Sequence, residues 1–324
     1  MDAAALKNSV FLAPMAGITD KPMRRIVFEE TEGKVRFISE MVAVNALSYK
    51  NAKTYRIADV RDEPYPVTVQ LMGGDPTLFY DAAKLAADLG AVGIDINMGC
   101  PVRKIIASGG GAVLMTEPLK AAKIIEETCR AVALPVSVKF RKGWDNNHIN
   151  APEFAKMCEE AGASFITVHG RTKAEGYSGK ADWDIIQKVK ATVKIPVIGN
   201  GDITDAVSAQ KMLFQTRVDA VMVGRAALGN PWVLADIADS LDHTSSQPRQ
   251  KNIYQVLMRH LAYLNDYYGP KVALGLSRKY ICWYTKKLFD AKKLRETYMK
   301  ITDFDQAMKL IESYFKNVQK GESA

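Results

Sequence analysis

The chain has 324 residues, 48% of them hydrophobic and 25% charged, a balance that suits a soluble globular protein large enough for a complete enzyme core and excludes a disordered or fibrous one. No apolar run reaches the roughly 18 to 20 residues of a membrane helix, and Val10 to Ala16 lacks a basic leader; a cytoplasmic protein without span or signal peptide is expected. The net charge of +8 is uneven, because Leu241 to Ala324 holds 15 Lys and Arg against 8 Asp and Glu and leaves the rest of the chain close to neutral.

Short apolar runs bounded by Gly, Pro, Asn and Asp recur along the chain: Val10 to Met15, Val35 to Met41, Pro66 to Met72, Val92 to Asn97, Pro135 to Phe140, Ser164 to Val168, Pro196 to Gly199 and Val218 to Val223. They are β-branched and mostly apolar throughout, as parallel strands buried on both faces are, and stretches such as Leu78 to Leu89 and Leu119 to Ala131 between them have helical composition. Eight such units predict an α/β fold, a (β/α)8 TIM barrel over residues 1–240. An open doubly wound sheet needs fewer strands and often carries a GxGxxG fingerprint, which is absent. Gly99 to Gly111, with three successive glycines at its end, predicts a mobile loop after the fourth strand, on the face where barrels place their chemistry. The strand pattern stops after Pro231. A Ser/Gln/Pro linker, Thr244 to Gln250, then leads into helical periodicity from Ile253 to about Val318, an all-α domain over residues 241–324. Its positive charge suits a polyanionic partner, and a solvated Lys-rich helical surface would give the same count.

Polar residues cluster where these strands end: Gln70, Asn97, Lys139, Arg141, His169, Asn200, Asp202 and Arg225. Any one could be a satisfied structural group, but their shared placement points to one barrel mouth. Asn200-Gly201-Asp202 and Gly224-Arg225 follow strands seven and eight, where glycines let main-chain N–H groups approach a phosphate and Arg225 adds charge. Pro14, Met15 and Ala16 end the first strand with small apolar surface suited to a ring system. Lys139 and His169 supply two donors for the electron-rich edge of a flavin, although Lys139 also suits the Schiff-base lysine of an aldolase. Cys100 is the only cysteine in a predicted active-site loop. A thiol of ordinary pKa, roughly 8.5, is protonated at neutral pH and can act as a general acid. The four cysteines form no CxxC pair, so no metal site is expected.

Taken together, Ala13-Pro14-Met15-Ala16-Gly17-Ile18-Thr19-Asp20, Asn97-Met98-Gly99-Cys100-Pro101, His169-Gly170-Arg171-Thr172, Asn200-Gly201-Asp202 and Gly224-Arg225-Ala226 closely resemble the tRNA-dihydrouridine synthases, in detail their bacterial B-type subgroup. The resemblance covers nearly the whole chain. It implies FMN held by Pro14 to Ala16, Gln70, Lys139, His169, Asn200 to Asp202 and Gly224 to Arg225, with NADPH or NADH as reductant. It further implies Cys100 as proton donor, Asn97, Arg141 and Tyr177 near the target uracil, and tRNA held by the helical domain, with no membrane, metal or obligate protein partner. Two positions depart from the family's common pattern, Met23 in place of Phe and Tyr280 in place of His. The implied chemistry is hydride delivery to C6 of uracil and proton delivery to C5 from the opposite face, on a base extruded from its stack. The alternative is an FMN-dependent reductase of a free pyrimidine, which leaves the basic helical segment without a role.

Overall fold

A computed structural model describes residues 6–242 and 249–321; Thr244 to Pro248 of the predicted linker lie outside the described residues. The strands are β1 (Val10–Leu12), β2 (Val35–Ala43), β3 (Val67–Met72), β4 (Gly93–Met98), β5 (Val136–Arg141), β6 (Phe165–His169), β7 (Val197–Asn200) and β8 (Ala220–Val223). All neighbours pair in parallel and β8 returns to β1, so the predicted TIM barrel is closed. Around it lie α1 (Lys21–Glu30), α2 (Val44–Ser48), α3 (Ala52–Ala58), α4 (Phe79–Asp88), α5 (Arg103–Ala107), α6 (Pro118–Ala131), α7 (Ala151–Glu160), α8 (Trp183–Thr192), α9 (Ala206–Thr216) and α10 (Trp232–Leu241). Asp20, Asn51, Asp182 and Asp205 start α1, α3, α8 and α9 by accepting a main-chain N–H of the first turn.

The strands are not apolar on both faces, which corrects the reading from composition. Val67, Val69, Leu71, Ile94, Ile96, Val136, Val138, Phe140, Ile166 and Val168 pack outward into the shell core shared with the helices. Since side chains alternate along a strand, the residues between them face the barrel interior, and from β3 to β6 these include Gln70, Asp95, Asn97, Ser137, Lys139, Arg141, Thr167 and His169. Phe11, Ala13, Ile38, Phe165, Ile198, Ala220 and Met222 form a separate apolar cluster. One side of the barrel interior is thus sealed by packing, and the other is held by hydrogen bonds.

The Gly99 to Gly111 loop, expected to be mobile, is built on close backbone approach. A Cβ at Gly74 would lie 2.4 Å from the Gly109 carbonyl carbon, and one at Gly110 would lie 2.9 Å from Gly73 O. These glycines therefore serve contact between the loops after β3 and β4, and Ala112 N–H donates to Cys100 O at 3.0 Å to close the turn.

Helices α11 (Ile253–Tyr268), α12 (Pro270–Tyr284), α13 (Ala291–Tyr298) and α14 (Phe304–Gly321) follow. Their core of Val256, Leu257, Leu261, Ile281, Tyr298 and Ile311, among others, also takes in Ile26 of α1 and Trp232 of α10. Polar contacts reinforce this junction: Arg259 pairs with Glu29 at 2.9 Å and with Glu30, and Tyr263 donates to Glu29 at 2.8 Å. The loop between β1 and α1 is gripped from both sides. Gly17 N–H donates to Glu40, Gly17 O accepts from Lys279 of α12, Tyr280 donates to Ile18 O at 3.2 Å, and Tyr268 donates to Asp20 at 3.0 Å. Both departures from the family pattern, Met23 and Tyr280, are buried core positions.

Candidate active site

The inward-facing ends of the strands open on one cavity of about 720 Å³, within the roughly 300–1,000 Å³ usual for ligand pockets. Every candidate residue lines it: Pro14, Met15, Ala16, Gln70, Asn97, Cys100, Lys139, Arg141, His169, Tyr177, Asn200, Gly201, Asp202, Gly224 and Arg225. Ala13, Met41 and Met222 add apolar surface.

A chain of hydrogen bonds runs from the barrel interior to the cysteine. Ser137 and Gln70 donate to Asp95 at 2.6 and 2.7 Å, Asn97 Nδ2 donates to Gln70 at 2.8 Å, and Asn97 Oδ1 accepts the N–H groups of Gly99 and Cys100 at 3.2 and 3.0 Å. Gln70 and Asn97 therefore spend much of their polarity on holding the Cys100 turn. Upstream, β2 and β3 shift register between Ile38 and Met41, and in that irregular stretch Ser39 accepts the Gln70 N–H at 3.0 Å. Burial pushes the Asp95 carboxyl up to about 6, against the lowering effect of its donors and of Lys139. Burial also raises the Cys100 thiol, only partly offset by the Val102 main chain and the Arg141 charge, so the thiol is protonated at neutral pH.

Lys139 donates to Asn200 Oδ1 at 2.9 Å, while Asn200 Nδ2 donates to Met222 O at 2.8 Å. Burial and then the Arg141 charge lower the Lys139 ammonium to about 8; Asp95 opposes them. His169 is buried among Lys139, Arg141, Arg171 and Arg225, and burial followed by these charges drops its pKa to about 2. The imidazole is neutral, and Nε2 faces Arg171 Nη1 at 3.4 Å. With Nε2 accepting from Arg171, the neutral ring offers a single N–H, at Nδ1.

Two arginines fix the loop after β6. Arg141 donates to Gly99 O at 2.7 Å, Thr172 O at 3.1 Å and Gly176 O at 2.8 Å, tying this loop to the cysteine loop. Arg171 is 1% exposed and donates to Ser178 O at 2.9 Å, Gly179 O at 2.7 Å and both Asp202 oxygens at 2.8 Å. At the tip stands Tyr177, 60% exposed, with the Arg141 and Arg225 guanidinium groups 5.5 and 5.4 Å from its ring centre. Asp202 also accepts Ala181 N–H at 2.7 Å and pairs with Arg225 at 3.3 Å, so its carboxylate is occupied within the protein. Asp95, Ser137 and Arg171 were not among the candidates from sequence. Their signal was present in the every-second-residue pattern Asp95-Asn97, Ser137-Lys139-Arg141 and His169-Arg171.

Among the described residues no helix is long and apolar enough to cross a membrane, and no three His, Cys, Asp or Glu side chains are grouped to hold a metal ion. A family model described as dihydrouridine synthase (Dus) matches residues 11–319. A probable tRNA-dihydrouridine synthase of Rickettsia conorii is 42% identical over 293 residues, covering 90% of this chain and 88% of that protein. The tRNA-dihydrouridine synthase B of Escherichia coli K12 is 38% identical over 315 residues, covering 96% of this chain and 97% of its own. Among solved structures, histamine dehydrogenase from Rhizobium sp. 4-9 shares the fold, with a TM-score of 0.56 at 13% identity over 72% of this chain and 46% of that one. The cysteine turn, the arginine-held loop and the two glycine turns after β7 and β8 accordingly belong to a member of the dihydrouridine synthase family.

Proposed function

We propose that the protein reduces uridines in tRNA to 5,6-dihydrouridine with FMN bound at the barrel mouth, the cofactor being reduced in turn by NADPH or NADH. The observation that carries this reading is the Cys100 thiol, kept protonated by burial and opening on the same cavity as a donor set suited to a ring and a phosphate.

The residues present fit the cofactor. Pro14, Met15 and Ala16 would give an apolar surface for the ring system, and Lys139, Gln70 and His169, which line the same cavity, would offer to its edge the N–H groups not already spent on Asn200, Asp95 and other protein groups. The N–H groups of Gly224 and Arg225 have no acceptor among the described residues, and the Arg225 side chain is 55% exposed, as a phosphate site requires. Asn200 orients Lys139, and Asp202 orients Arg225. When bound, the reduced flavin supplies the hydride that adds to C6 of the uracil.

The chain's own residues do the rest. Cys100 Sγ delivers a proton to C5 as the C5=C6 bond gains its two hydrogens, and the thiolate is reprotonated from water. Asn97 and Arg141 hold the turn that aims this thiol. Tyr177 at the rim supports the extruded base by stacking, and the basic segment after Leu241 takes tRNA phosphates.

The test is Cys100→Ala with prereduced flavin in a single turnover on tRNA lacking dihydrouridine. Its oxidation by tRNA slows about 10²- to 10⁴-fold, the contribution of a general acid, while its reduction by NADPH keeps the wild-type rate. Oxidation at the wild-type rate rejects Cys100 as the donor. Equal turnover of free uracil and of tRNA by the wild type would favour the free-pyrimidine reading instead.

A further inference from the structure

Between α12 and α13 the chain makes a short turn in which Leu288 packs against the helical core while Phe289 points outward and is 84% exposed. The turn is not loose. Tyr314 of α14 donates to Phe289 O, Arg295 of α13 donates to Thr285 O at 3.0 Å and to its hydroxyl at 3.3 Å, and Leu288 N–H donates to Thr285 O at 3.2 Å. A large apolar ring is thus presented to water from a fixed backbone when the neighbouring residue already fills the core.

Its surroundings define what it can meet. A groove of about 610 Å³ runs beside the ring between α13 and α14, with Asp290, Lys293, Thr297, Ser313, Tyr314 and Asn317 along it. Lys293 lines the groove, and Lys286, Lys287 and Lys292 are exposed within three residues of Phe289 along the chain; of the four only Lys292 has a carboxylate within reach among the described residues, Glu296 at 4.0 Å. Protein interfaces deplete lysine around their apolar centres. An aromatic face, an amide and hydroxyls beside it, and four exposed lysines within four residues of the ring along the chain against the two carboxylates of Asp290 and Glu296, match a nucleotide, with the base on the ring and the flanking phosphates on the lysines.

We propose that Phe289 and the adjoining groove form a second nucleotide site, separate from the barrel mouth, that stacks one unpaired or unstacked base of the bound tRNA. This rests on the reading of tRNA as substrate. Its role is to hold the tRNA body in register while another nucleotide enters the barrel.

The experiment measures binding of full-length protein to tRNA lacking dihydrouridine across a salt series, for the wild type, Phe289→Ala, Phe289→Trp and the pair Lys286→Glu with Lys287→Glu. Melting temperature and flavin reduction by NADPH serve as controls for folding. Phe289→Ala is expected to weaken binding about tenfold with an unchanged log–log salt slope, because stacking releases no counterions; Phe289→Trp restores affinity. The lysine reversals lower the slope by about two. Wild-type affinity in a folded Phe289→Ala protein overturns the proposal, as does failure of Trp to restore binding. A change in the sedimentation of Phe289→Ala in the absence of tRNA also overturns it, since the ring would then bind a second copy of the chain. If the wild type itself does not bind tRNA, it is the reading of the substrate that fails.

Discussion

Replacing Arg171 with Met keeps a long, flexible apolar stem in the same space and removes the guanidinium donors to the second half of the loop after β6, while Arg141 keeps its bonds to Thr172 O and Gly176 O. The lost bonds go to Ser178 O, Gly179 O and both oxygens of Asp202. Removing one member of a buried ion pair costs about 3–5 kcal/mol. Here the Asp202 side chain is 31% exposed and keeps the Ala181 N–H and Arg225, which places the cost at the lower end, about 3 kcal/mol. With an unfolding entropy of roughly 2.1 cal/mol/K per residue, a chain of this length loses about 4 °C in Tm. Calorimetry measures that loss, and hydrogen exchange locates it: the amides of residues 172–181 exchange faster while those of β3 and β4 do not. Arg171→Lys does not restore the loop, since a single ammonium cannot reproduce the planar fork. A Tm within about 1 °C of wild type, together with unchanged exchange in the loop, would contradict the role given to Arg171.

Two further outcomes follow from burial. His260 lies fully buried against Tyr280 and Tyr284, and burial, with a smaller effect of the Lys279 charge, lowers its pKa to about 3; below its unfolded pKa of about 6.5 the unfolded chain takes a proton that the folded chain refuses. Stability is therefore lost as pH falls from about 6.5 towards 3, and His260→Phe removes that part of the dependence; parallel Tm-against-pH curves for wild type and variant would contradict it. Ile26→Ala opens the core shared by α1 and the helices after it at a cost of about 2–5 kcal/mol, and calorimetry should show the barrel and helices melting together at a lower temperature, whereas loss of only a second, separate transition would show that the two regions fold independently.

The barrel was legible because the helix-facing side of each strand is apolar and its ends carry Gly, Pro, Asn or Asp. The interior was less so. Reading strands by their apolar content hid Asp95 and Ser137, although each stands two residues before a candidate, Asn97 and Lys139. Arg171 stood inside a motif, but its work is defined by carbonyls of the following loop and by Asp202 on β7's loop, contacts that no strand or helix period encodes. The neutral state of His169 depends on four cations converging from separate elements, which spacing along the chain cannot reveal. Lys279 and Gly17 are 262 residues apart, so the grip of the last helices on the first loop had no local signature.

That grip bears on how such a protein can be rebuilt. A chimaera joined near residue 241, with the terminal helices of a relative grafted onto this barrel, would set Ile26 and Trp232 against a foreign core and would need a lysine at position 279 to reach the Gly17 carbonyl. The unit that can be exchanged intact therefore includes the facing sides of α1 and α10 with the four helices that cover them. On the proposed reading of these helices as the region that holds tRNA, a new preference among RNA targets is reached more readily by substitutions on the solvent side of α13 and α14, away from Lys279 and Tyr280, than by transplanting the helices as a block.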